Sequence, residues 1–319
     1  MLPERWIESA ARRGVVEADV RLAFDSYRNL FASDDAVLAA GARCTWFEPL
    51  GARAVPAIVH RLKDSLARGQ PLSLVRVGNG EGNAVSMLDR PVTNAAFEGF
   101  DFEFVSQNGL SVSVGEAVSL SRQVVDAIKS ADIQGYRIGR FDEATVIAQC
   151  FDRGEISPVL GLIHARRLFH MQLTACSSEP TWFTNAWIHL DLLPHLETLC
   201  EAAPRILVIT GRQELEEQLK ARLGGKLLGL LHVPVQGYAP QSLADSHFGR
   251  FEQVRSRIRT EGLAGALVLV GAGLFGKIYC QDARNAGAVA VDLGSAFDLL
   301  AGVATRPAHR EFDLAATRW

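Results

Sequence analysis

Two stretches of this sequence set charged side chains among glycines. In Arg76-Val77-Gly78-Asn79-Gly80-Glu81-Gly82 a cation, an amide and a carboxylate share seven positions with three glycines. Glycine lets a backbone come close to a ligand, and Glu81 is placed to hold a divalent cation that bridges to a diphosphate. A glycine-rich turn with a surface carboxylate would read the same way. The second stretch is Gly271-Ala272-Gly273-Leu274-Phe275-Gly276-Lys277, with Asp292 nineteen residues after Gly273. That spacing satisfies the dinucleotide fingerprint, in which glycines admit the pyrophosphate, a helix amino end attracts it and the acid takes a ribose hydroxyl. Taken alone it says NAD. Its place argues against that, because a dinucleotide domain starts with this motif and only 27 residues follow Asp292, too few for a second mononucleotide half. The expectation is a backbone-lined anion site with Lys277 one turn into the helix; tight helix–strand packing is the alternative.

Other candidates carry a structural reading beside the functional one. Asp292 closes a buried strand, where an unpaired carboxylate is costly, so it is a candidate for ligand contact. Ser295 with Asp298 three residues on reads as a capping box, and Ser295 is also placed to meet a ligand. Asp142 and Glu143 stand at a helix start, where acids cap or serve as a base. His247, in Asp245-Ser246-His247, is a general base or a phosphate partner against a satisfied structural ring. Thr184, Asn185 and His189 share a helical stretch with Trp182 and Trp187, which suits a sugar or simply a core.

The elements that must position these residues alternate. Leu72–Val77 is a short apolar strand ending in the first glycine turn. From Pro204 the order is strand Ile206–Thr210, helix Gln213–Leu223, strand Leu227–Val233, helix His247–Thr260, strand Ala266–Val270, helix Leu274–Asn285 and strand Ala288–Asp292. Single helices between strands mean right-handed crossovers and a parallel sheet, which binds ligands at the carboxyl ends of its strands. The middle reads as mostly helical: Val114–Ala131, Glu143–Cys150, Val159–His170 and Asn185–Ala202, with one strand at Gln134–Ile138. The fold class is α/β, a Rossmann-like parallel sheet flanked by helices. Residues 1–50 read as an amino-terminal helical extension and 51–319 as the α/β domain. The two glycine turns should meet at one rim of the sheet and grip one pyrophosphate.

Composition narrows the partners. Hydrophobic residues are 48% and charged ones 22% of 319, which is globular. A net charge of −3 gives no electrostatic footprint for nucleic acid. The five cysteines form no C-x-x-C pair and are expected as reduced thiols in the cytoplasm. The amino terminus, with Glu4, Arg5, Glu8, Arg12 and Arg13, offers neither a signal peptide nor a membrane span. The amino-terminal helices offer a surface for a homo-oligomer.

Leu74-Val75-Arg76-Val77-Gly78-Asn79-Gly80-Glu81 resembles the R-[FIY]-G-D-G-E turn of the GT-D fold glycosyltransferases. Val268 through Lys277 and Ala290-Val291-Asp292-Leu293-Gly294-Ser295 to Asp298 are similar to that family's closing G-x-G/P…D-x-G-x-x-x-D pattern, so the resemblance brackets about residues 54–302. It implies a hexosyltransferase-type enzyme of bacterial glycan or glycoprotein synthesis, with a nucleotide-sugar donor and a glycan, lipid-linked or protein acceptor. It also implies a D-x-E motif holding Mn²⁺ or Mg²⁺ on the donor diphosphate. Carried over, Glu81 is the acidic ligand and Asn79 stands where the first Asp is expected, which removes one negative charge from the metal site. Arg76, Lys277 and helix amino ends would then share the task of neutralising the leaving diphosphate, with a base drawn from Asp142, Glu143 or His247. An NAD-dependent oxidoreductase and a noncatalytic nucleotide-sugar-binding protein are the rivals.

Overall fold

The computed structural model describes residues 2–32, 54–88, 97, 99–101, 104–105, 113–137, 143–174, 181–235, 245–317 and 319. Among them seven strands form one sheet: β1 (Leu72–Val77), β2 (Ile133–Tyr136), β3 (Trp182–Asn185), β4 (Ile206–Thr210), β5 (Leu227–His232), β6 (Leu267–Gly271) and β7 (Val289–Asp292), in the order β3-β2-β1-β7-β6-β4-β5. The pairings of β2 with β3, β1 with β7, β7 with β6, β6 with β4 and β4 with β5 are all parallel. The central strands are apolar on both faces: every residue of β4 and β7 is buried, as are Leu267–Val270 of β6. Continuous runs such as Ile206-Leu207-Val208-Ile209 are what a sheet covered by helices on both sides requires.

The chain divides into two compact units. The first takes residues 1–50, 76–105 and 111–186. In it the helices Glu4–Ala11 and Glu17–Ala32 bury an apolar face against the helices Glu143–Asp152 and Ile156–Thr174. Trp6 stacks on Phe151 at 4.5 Å with Phe24 edge-on at 5.9 Å, and its Nε1 donates to Asp152 Oδ1 at 2.6 Å. Aromatic pairs of this kind add to area burial, so these two helices are part of the unit's core. The second unit takes residues 51–75, 106–110 and 187–319. There Arg255, on the helix His247–Thr260, forks onto Asp282 of the helix Gly273–Asn285, with Nε at 2.6 Å and Nη2 at 3.3 Å. Bidentate pairing fixes geometry as well as energy.

Most elements from Pro204 onward fall within a residue or two of their expected bounds. β3 does not follow the sequence reading. Thr184 and Asn185 were expected on a helix, but Trp182–Asn185 pairs with β2 in the register Gln134↔Phe183 and Tyr136↔Asn185. Four residues are too few to show a period of two. The helix expected over Asn185–Ala202 is three short pieces: Ile188–Asp191, the 3₁₀ turn Leu193–His195 and Leu196–Ala202. Pro194 lies in the middle piece. No helix among the described residues is long and apolar enough to cross a membrane.

Candidate functional site

In the first unit β1 runs straight into the helix Asn79–Ser86, with extended Gly78 (φ −112°, ψ −161°) as the N-cap. Glycine has no side chain to cap with, and the helix is closed from the other direction: Glu81 Oε2 accepts the Gly78 N–H at 2.7 Å. Glu81 is buried, and this half of a capping box ties its carboxylate to its own turn. A Cβ on Gly78 would stand 3.3 Å from that oxygen. Asn79 and Arg76 are half-buried, and Arg76 Nη1 donates to the Ala186 carbonyl at 3.4 Å.

Not every glycine of the turn is there for a ligand. A Cβ on Gly82 would lie 1.6 Å from the Gly161 carbonyl oxygen, and one on Gly161 would lie 2.4 Å from the Asn79 oxygen. The helices Asn79–Ser86 and Ile156–Thr174 therefore cross backbone on backbone, and Gly82 serves that crossing. Gly78, which is half-buried, is the position of this turn where the chain can approach a ligand; Gly80 is buried.

In the second unit the turn after β6 is similarly tight. A Cβ on Gly271 would come 2.4 Å from Phe297 Cδ2 and 3.0 Å from the Gly294 carbonyl oxygen, and Gly273 takes φ +52°, which favours glycine. The expectation placed Lys277 at phosphate and made Asp292 a candidate for ligand contact. The structure gives them each other: Lys277 Nζ lies 3.0 Å from Asp292 Oδ2 with side chains 3% and 1% exposed, and Nζ also donates to the Gly273 carbonyl at 3.2 Å. A carboxylate at the end of a buried strand needs a partner, and the lysine one turn into the next helix supplies it. The NAD reading loses its ribose acid by the same pairing.

Ser295 and Asp298 do not form the expected capping box. Asp298 accepts from Arg212 Nε at 2.7 Å and from the Thr305 hydroxyl. The Ser295 hydroxyl makes no cap bond and lies between two imidazoles, 3.2 Å from His309 Nε2 and 3.4 Å from His189 Nε2. His309 Nδ1 accepts the Thr305 backbone N–H at 3.2 Å. Sequence reading passed over His309 because it lies in the short stretch after Asp292, where no periodic element flags it. His189, on the helix Ile188–Asp191, stacks with Trp187 at 6.2 Å.

His247 opens the helix His247–Thr260, whose N-cap is Ser246, its Oγ accepting from Gly249 N–H at 2.9 Å. The ring is buried against Phe275 at 4.9 Å, neither nitrogen has a hydrogen-bond partner among the described residues, and desolvation pushes its pKa down to about 3, with Arg250 adding in the same direction. It is neutral at working pH and weakly basic, which suits a hydrogen bond better than proton abstraction. Glu143 begins the helix Glu143–Asp152; Asp142 lies outside the described residues. Among the described residues no three His, Cys, Asp or Glu side chains gather as a metal site. Cys150, Cys200 and Cys280 are buried free thiols, and burial pushes Cys200 up to about 12.

A family model for the GT-D fold-like domain matches residues 54–300. No curated protein matches the chain. Among solved structures, the highly conserved domain of unknown function 1792, described as having a distinct glycosyltransferase fold, aligns at 12% identity and TM-score 0.44 over 81% of this chain and 82% of that one. A new glycosyltransferase of the same domain from Streptococcus sanguinis aligns at 14% identity and TM-score 0.42 over 74% and 79%. The family match takes in the turn after β1, the turn after β6 and the strand that ends in Asp292: this chain belongs to the GT-D fold-like family.

Proposed function

We propose that this chain is a glycosyltransferase that takes a nucleotide-sugar donor and passes its sugar to an acceptor hydroxyl of a glycan, lipid-linked or protein acceptor in bacterial glycan or glycoprotein synthesis. The observation that carries the reading is the Gly78–Glu81 turn, a glycine-lined helix start at the carboxyl end of β1 inside the family's span. In such a transfer the acceptor oxygen bonds to the anomeric carbon as the bond to the nucleoside diphosphate breaks. Negative charge grows on the departing diphosphate, so prearranged donors that face it lower the barrier most.

Each turn is proposed on its own grounds as a donor contact. After β1, the backbone at Asn79 and Gly80 offers N–H groups, the Gly78 N–H being held by Glu81, with the Arg76 cation one residue before the strand's end. After β6, Gly273 offers a close-approach backbone and Ser295 a hydroxyl, while the place of a Gly271 side chain is filled by Phe297 and the Gly294 carbonyl. Lys277 and Asp292 act by holding the Gly273 turn. Glu81 and Asn79 are the residues that would hold a divalent cation, whose chemistry would be to neutralise the leaving diphosphate. They bring one carboxylate and one amide oxygen, so most ligands of such a cation would come from phosphate and water, as Mg²⁺ tolerates. Asp142 and Glu143 are the proposed bases. Buried free thiols fit a cytoplasmic enzyme.

The test is nucleotide release from a panel of UDP- and GDP-sugars with Mn²⁺ or Mg²⁺, together with titration of NAD. Tight NAD binding with no response to nucleotide sugars would overturn the reading; donor binding without hydrolysis or transfer would favour a noncatalytic binder. Glu81→Gln keeps an oxygen for the Gly78 N–H, so its stability should change by less than about 1 kcal/mol. Its metal-dependent turnover should fall about 100-fold. Asn79→Asp should tighten Mn²⁺ binding. Unchanged metal affinity in both variants would remove the cation from the mechanism.

A further inference from the structure

Ser295 is the N-cap of the short helix Ala296–Leu300, with its hydroxyl turned away from capping and held by two histidines. Its turn is packed into the glycine site of the same unit: the Gly294 carbonyl oxygen would stand 3.0 Å from a Cβ on Gly271, and the Gly294 N–H donates to Val270 O at 3.1 Å. His309 and His189 are 1% and 2% exposed, whereas Ser295 is half-buried, so the serine is the residue of the group that reaches solvent.

The hydrogen bonds set the direction of the group. His309 Nδ1 accepts from the Thr305 backbone, so in the neutral ring the proton sits on Nε2 and is donated to Ser295 Oγ at 3.2 Å. The contact with His189 Nε2 is longer, 3.4 Å, and is the weaker constraint. One lone pair of the serine oxygen is taken by His309. The hydroxyl therefore keeps a hydrogen or a second lone pair for a ligand oxygen, at a position that two buried rings hold still.

We propose that His309, supported by His189, is a positioning residue that presents the Ser295 hydroxyl to the nucleotide diphosphate or ribose of the donor. The inference rests on the reading of the β6 turn as a donor contact. It accounts for three facts together: the missing cap bond, the fixed tautomer of His309 and the placement of the Ser295 turn against Gly271. Preorganised hydroxyls of this kind bind tightly because their rotamer is set before the ligand arrives.

The experiment is titration of UDP and of GDP into the wild-type protein, Ser295→Ala, His309→Asn and the double variant, with melting temperature recorded for each. Asn at 309 leaves an oxygen close to the place of Nδ1 for the Thr305 N–H but no donor that reaches Ser295, so the fold is spared. For whichever nucleotide the wild type binds, Ser295→Ala should weaken Kd about tenfold and His309→Asn about three- to tenfold. The double variant should bind no more weakly than Ser295→Ala, because a positioning residue has nothing to position once its hydroxyl is gone. Unchanged Kd in Ser295→Ala overturns the inference, and so does a change in melting temperature without a change in Kd for His309→Asn, or additivity in the double variant. A wild type that binds neither nucleotide defeats the donor reading itself, and this inference with it. Binding by the wild type with indifferent variants defeats only the inference.

Discussion

Gly82→Ala is expected to cost more than about 4 kcal/mol, enough to leave little folded protein, although alanine is the better helix former by about 1 kcal/mol. The added Cβ would stand 1.6 Å from Gly161 O, 2.6 Å from Gly161 C and 2.9 Å from Ala165 N, all backbone atoms with no rotamer to yield. Relief requires the helices Asn79–Ser86 and Ile156–Thr174 to part, and both are lined by buried residues. Gly161→Ala meets the same obstacle from the other side, 2.4 Å from Asn79 O. Gly115→Ala is the control: it also sits in a helix, Val114–Lys129, but a Cβ there meets only Ser113 Oγ at 4.0 Å. That substitution should stabilise by up to about 1 kcal/mol. Denaturant midpoints of the three variants decide the matter. A Gly82→Ala protein within about 1 kcal/mol of the wild type would mean that the crossing is looser than described. Because Glu81 is on the displaced helix, residual folded protein should also lose nucleotide release.

Glycine is where the sequence is least informative. Gly78, Gly80 and Gly82 look alike on the page, yet Gly82 faces a second backbone, and only the position of Gly161, far along the chain, separates the two uses. The strands were legible for the opposite reason. Ile206–Thr210, Leu267–Val270 and Val289–Asp292 are buried on both faces, so apolar runs with turn signals at their ends mark them without any partner being known. β3 was hidden because Trp182-Phe183-Thr184-Asn185 is short and its residues suit a helix equally well. The family was legible in two turns whose order matters more than either motif. Side-chain roles were less so: Asp292 was recognised as a carboxylate in need of a partner, but Lys277 was already spoken for as a phosphate ligand. Ser295 was explained by a cap that satisfied sequence logic and that the two histidines pre-empt.

The pair of Lys277 and Asp292 yields the other large effect. Lys277→Met should destabilise the protein by about 3–5 kcal/mol, because it leaves the Asp292 carboxylate buried at the end of β7 without its cation. Removing both charges is a different matter. Lys277→Met with Asp292→Leu replaces the pair by apolar groups of similar volume, and such exchanges are often neutral or stabilising by about 1–4 kcal/mol. The loss of the Lys277 bond to the Gly273 carbonyl works against full recovery. The double variant should therefore regain most of the stability that the single one loses. Arg257→Ala is the contrast, since its pair with Glu261 leaves the arginine side chain 55% exposed; such pairs are worth about 0–1 kcal/mol. Nucleotide binding separates the two roles of Lys277. A lysine that only props the turn allows the double variant to bind UDP or GDP within about threefold of the wild type, and that is the expected result. If the stability of the double variant returns and its binding does not, Lys277 touches phosphate after all and the buried ion pair must open when the donor arrives. Equal stability loss in the single and double variants would show that Asp292 has other partners strong enough to make the lysine irrelevant to the fold.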